Sequence, residues 1–145
     1  IFTFGCHTAP DVSLPSKNIS ASISFGSNIN GKAFDSSLDW KDLQATPKWL
    51  PDRSKPPVSL TSARRAATKM LAKAVSNIEQ WKLVEVSFKQ PFGSETPAFE
   101  GFWVYEFRFD GPKYSFNGNN NMFSSANVIV LMNGKAIPLK PVGSK

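Results

Sequence analysis

One stretch of this sequence carries helical periodicity over several turns, and it limits the chain to a fold with one long helix. From Leu60 the apolar positions recur as Leu60, Ala63, Ala67, Met70, Leu71, Ala74, Ile78 and Trp81. That spacing lays them on one helical face. Ser62, Arg65, Lys69, Lys73, Ser76 and Gln80 line the opposite face. Ser59 is a good N-cap, and Val58 before it is placed for a hydrophobic staple. The pattern predicts a helix over about 60–79. A single helix cannot cover a sheet from both sides, so one sheet face is expected to stay open to solvent or to a partner.

The rest of the pattern reads as strands and loops. Residues 7–18 hold two prolines and no periodicity, and read as an extended lead-in. Residues 19–25 alternate Ile19, Ala21, Ile23 and Phe25 with serines, the period of a half-buried strand. Gly26 to Gly31 reads as a turn or loop. Residues 32–40 fit either a second short strand or a helical turn. Residues 45–57 carry four prolines, which exclude a long helix or a central strand. This stretch reads as an extended crossing segment pinned by Trp49 and Leu50, with an interdomain linker as the alternative. In 82–90, Val84, Val86 and Phe88 share a face, and 91–100 is a loop. In 101–110, Trp103, Tyr105, Phe107 and Phe109 point one way, and Phe102, Val104, Glu106, Arg108 and Asp110 the other. Residues 111–126 are rich in Gly, Asn and Ser and read as a loop. Residues 127–132 form a continuous apolar strand, ended by the turn pair Asn133-Gly134.

These elements predict an α+β fold: a single long helix packed on a curved antiparallel β-sheet of about four to five strands. Residues 1–18 are expected to form an extended N-terminal segment, and 19–145 a single α+β domain. At 145 residues the chain has the length of one domain. Its 12 Phe and 4 Trp are expected to be mostly buried.

The helix and its sequel resemble the PepSY-type domains. The run Val58-Ser59-Leu60-Thr61-Ser62-Ala63-Arg64-Arg65-Ala66-Ala67 is similar to the opening of that family: an aliphatic residue, a Ser or Thr cap, then alanines spaced by four. The order of elements matches over roughly residues 56–140, including the closing Asn133-Gly134 turn. The wider likeness is to the cystatin-like arrangement of one helix gripped by a sheet. The resemblance implies an exported bacterial accessory or inhibitory module (periplasmic, cell-envelope or secreted) without catalytic residues. Residues 11–55 have no counterpart in the minimal family pattern.

Candidate sites are few. Cys6 and His7 stand side by side near the chain start, where a nucleophile pair lacks the support it needs. Gly5-Cys6 resembles the close of a bacterial lipoprotein signal, in which the cysteine is lipidated, although Thr3 stands where that signal usually has Leu. One cysteine allows no intrachain disulfide. No apolar run reaches the ~18 residues that span a bilayer. Glu85 and Glu106 can meet across neighbouring strands, with Lys82, Lys89 and Arg108 near enough to pair with them. No metal or cofactor is expected. The stretch Glu100-Gly101-Phe102-Trp103 echoes an RNA-binding sheet strand but lacks its basic and small residues, so the aromatic stripe is expected to be core.

The net charge of +6 and pI of about 9.6 favour acidic partners. Arg65, Lys69 and Lys73 repeat at a spacing where like charges oppose a helix by about 0.2–0.5 kcal/mol per pair. The expected function is a non-catalytic binding or accessory module that contacts a protein or cell-envelope partner. The open sheet face (Phe102, Val104, Arg108) and the long loops at 91–100 and 115–126 would make that contact. The alternative is polyanion binding, to nucleic acid or an anionic surface, through Arg64, Arg65, Lys69 and Lys73.

Overall fold

The computed structural model describes residues 20–143. The expected N-terminal segment 1–18, with Cys6 and His7, lies outside the described residues. In chain order come β1 (Ser22–Ile29), β2 (Lys32–Asp39), the short helix α1 (Trp40–Gln44), the main helix α2 (Leu60–Ala74), β3 (Lys82–Lys89), β4 (Val104–Phe116), β5 (Asn119–Leu131) and β6 (Lys140–Pro141). The strands form one antiparallel sheet in the order β3-β4-β5-β1-β2-β6. The class is α+β with one main helix, and the sheet has six strands rather than four to five.

Helix α2 starts where the capping signal put it. Ser59 has extended backbone angles, and its Oγ accepts from the Ser62 amide at 3.2 Å. Ala63, Ala67 and Leu71 are buried. The helix ends at Ala74, five residues short of the predicted end. Val75 turns to φ −124° while its amide still donates to the Leu71 carbonyl. β-Branched Val75 and then Ser76-Asn77 are poor helix residues, so the helix stops there. Ile78–Gln80 form a single 3₁₀ turn, and Trp81 leads into β3. Ile78 and Trp81 still reach the helix-side core, which is why they mimicked one continuous helical stripe.

That core joins α2 to Tyr105, Phe107 and Phe109 of β4 and to Ala126, Val128 and Val130 of β5. The predicted alternation along β4 therefore holds. The Tyr105 hydroxyl donates to the Val58 carbonyl at 2.5 Å, tying β4 to the residue before the helix cap. Burial pushes the Tyr105 phenol above its ordinary pKa of 10.0. The proline-rich segment crosses the same side. The Trp49 amide donates to the Gly101 carbonyl at 2.8 Å, and its indole donates to the Ser54 carbonyl at 3.0 Å. Leu50 is exposed and pins nothing, contrary to expectation.

The opposite sheet face is not open where the sequence suggested. Val104, Ile129 and Leu131 meet Leu38, Trp40, Leu43, Phe102 and Ile137 in a second core. The Trp40 ring makes edge contacts with Phe99 and Phe102 at 4.7 and 4.9 Å between centroids. The cause lies at the β5 edge. After the turn at Asn133-Gly134 the chain pairs back, with the Ile137 amide donating to the Ile129 carbonyl at 2.9 Å and Val130 bridging Ala136. That occupies the edge, so β1 adjoins β5 only around Asn28↔Ser125. Along the β1–β2 hairpin, Ile29 and Phe34 near the turn join the helix-side core, while Ile23, Phe25 and Leu38 join the second one.

Two stretches read as loops are hairpins. β1 runs through Gly26 to Ile29, and the turn is Asn30-Gly31, both at positive φ (53° and 84°). Residues 111–126 are not a loop. They hold the ends of β4 and β5 around Asn117-Gly118, again both at positive φ (50° and 79°). Two such central residues match the right-handed strand twist, so the pair sets the register despite poor strand propensity around it.

Candidate functional site

The four helix cations are exposed, and three of them converge. Arg64, Arg65 and Lys69, with Thr61, Thr68, Ala72 and Ile78, line a shallow groove of about 420 Å³. Lys73, a turn further on, does not line it. Because the helix ends at Ala74, Glu79 is not part of it, and α2 carries four cations and no acid. Both ion pairs among the described residues lie elsewhere, on β3 and β4.

Of the residues expected on an open sheet face, Phe102 and Val104 are buried in the second core, so they cannot meet a partner as the fold stands. Arg108 is exposed and bonds Glu85 at 3.2 Å. Lys89 bonds Glu106 at 2.7 Å. Glu85 and Glu106 thus sit on neighbouring strands, each ion-paired with a cation of the other strand. In register, Glu106 faces Ser87 rather than Glu85. The loop at 91–100 contributes Phe92 and Phe99 to the second core.

The stretch expected as a contact loop at 115–126 is the far half of the β4–β5 hairpin. Lys113 lies opposite Phe123, and Tyr114 opposite Met122. Phe116 is 54% exposed, Phe123 60% and Met122 38%. The Lys113 ammonium sits 5.0 Å from the centre of the Phe123 ring, a cation–π contact. The base of this arm is held firmly. Asn28 Nδ2 donates to the Tyr114 hydroxyl at 2.7 Å, and the Asn30 amide donates to Ser124 Oγ at 3.0 Å. The Tyr114 ring lies close over Gly31, where a Cβ would stand 3.2 Å from it. The pair Asn117-Gly118 was the signal that could have located the arm.

Among the described residues, no three His, Cys, Asp or Glu side chains stand close enough to hold a metal ion. No helix among them is long and apolar enough to cross a membrane. Comparison with protein families, curated proteins and solved structures finds no match for the chain.

Proposed function

We propose that this chain is a non-catalytic, exported binding or accessory module, of the kind the PepSY-like order of elements suggests, and that it grips a protein or cell-envelope partner with the β4–β5 arm. The carrying observation is the exposure of Phe116, Met122 and Phe123 along an arm that hydrogen bonds tie to the β1–β2 hairpin. Scattered surface apolar residues are ordinary, but aromatics and Met gathered on one projection are what interface centres are made of. A held base also lowers the ordering cost of binding.

The test compares the wild-type chain with Phe116→Ser/Phe123→Ser as bait against envelope extract from the native source. Both side chains are exposed, so each change should alter stability by no more than about 0.5 kcal/mol. A partner held by the wild type and lost from the variant, then reproduced with purified components, supports the reading. Identical capture by both baits refutes it.

The cationic groove favours a second reading, polyanion binding. Arg65→Glu/Lys69→Glu, both in the groove, should abolish retention on heparin or duplex DNA, and wild-type binding should fall steeply with salt as counterions are displaced. Retention unchanged by the double reversal would end that reading.

A further inference from the structure

β3 is the terminal strand of the sheet, and among the described residues nothing pairs with its outer edge. Such an edge presents a row of free amides and carbonyls that a second strand can use. Native edges are blunted by bulges or covered. Here the irregularity is confined to the start, between Leu83 and Glu85. From Glu85 to Lys89 the strand pairs regularly with β4. Its helix-side residues are Val86, opposite Phe107, and Phe88, opposite Tyr105, and they remain 37% and 40% exposed. Trp49 packs on Phe88 at 4.7 Å between ring centres without covering it.

We propose that β3 pairs antiparallel with β3 of a second copy of this chain, around a two-fold axis at Ser87. The charge pattern selects both the occupant and the register. Residues directly opposite must share a sheet face if both helices are to lie on the same side. Centring on Glu85 sets like charges against each other. Centring on Val86 leaves Glu85 opposite Ser87. Centring on Ser87 sets Glu85 opposite the other copy's Lys89, twice by symmetry, and Val86 opposite Phe88, also twice. Unlike charges and apolar pairs directly opposite are the contacts that stabilise neighbouring strands. Glu85 and Lys89 are each about half exposed, and each already bonds a β4 partner. The new contacts would therefore join Arg108, Glu85, Lys89 and Glu106 into one alternating row across the seam. A self-complementary patch of this kind closes as a two-fold dimer and does not propagate. The arm takes no part in it.

Sedimentation of the purified chain should show a concentration-dependent dimer of twice the 16.0 kDa monomer mass. Glu85→Lys alone and Lys89→Glu alone should each weaken it, by about tenfold for two attractive pairs turned repulsive. Mixing the two variants should restore association, because each altered charge then meets its opposite. A wild type that stays monomeric at every concentration overturns the proposal. So does a dimer indifferent to the reversals, or a mixture no better than either variant. If the charge variants fail to fold, Ser87→Cys in a Cys6→Ser background decides the matter. The axis brings that position against itself, so mild oxidation should give a covalent dimer, and its absence overturns the register.

Discussion

Gly111 should be intolerant of even one added carbon, and Trp81 should be the reason. A Cβ built at Gly111 would stand 2.6 Å from three atoms of the Trp81 six-membered ring, inside any real carbon–carbon contact. Trp81 is buried in the helix-side core, and no hydrogen-bond acceptor faces its indole nitrogen, so the ring is held by packing alone. It has nowhere to go without opening that core. Overpacking of this kind costs about 1–3 kcal/mol. The smaller freedom of Ala in the unfolded chain returns about 0.4–1 kcal/mol. Gly111→Ala should therefore destabilise by about 1–2 kcal/mol, measured by urea unfolding with unchanged m value. Gly26→Ala is the control, since a Cβ there meets nothing within 4 Å. Trp81→Phe removes the crowded ring atoms, so the Gly111→Ala penalty should shrink by at least half in that background. A Gly111→Ala protein as stable as wild type, or a penalty undiminished beside Phe, would show that the contact does not fix this glycine.

Two further outcomes are expected. Ser59→Ala removes the cap on the Ser62 amide and should cost about 0.5–2 kcal/mol by thermal or urea unfolding. A loss indistinguishable from zero would mean that the cap is dispensable in this fold. The buried Tyr105 phenol has a folded pKa above its unfolded value. Its stabilising contribution is therefore complete below about pH 10 and is lost as pH rises through the folded value. Unfolding followed from pH 8 to 12 should show a steeper alkaline loss for wild type than for Tyr105→Phe, and equal slopes would refute the assignment.

The helix start and the β4 alternation were legible because each rests on local chemistry repeated over several residues. Ser59 caps its own helix, and Tyr105, Phe107 and Phe109 alternate on one strand. The second core was legible in principle. Residues 128–132 are apolar without alternation, the mark of a strand buried on both faces. That reading conflicts with an open sheet face, and the structure resolves it in favour of burial. What could not be read was the partner of that second face, because Leu38, Phe102 and Ile137 come from three distant segments. The misread loop at 111–126 has a different cause. Asn, Gly and Ser disfavour strands locally, but pairing of β4 with β5 and the Asn117-Gly118 turn outweigh propensity. The site residues divide the same way. Exposure of the helix cations followed from periodicity, whereas burial of Phe102 and Val104 depended on a hairpin far away in sequence.

The seam between β1 and β5 has a consequence for how the chain is made. The Ser27 hydroxyl accepts from the Asn127 amide, a residue 100 positions later. A ribosome adding about 5–20 residues per second leaves the β1–β2 hairpin waiting roughly 5–20 s for that partner. During the wait Ile23, Phe25 and Leu38 have no core to enter, since Val104, Ile129 and Leu131 have yet to be synthesised. Strand β5 is the one both earlier halves need, so the β1–β2 hairpin stays undocked until β5 has been made.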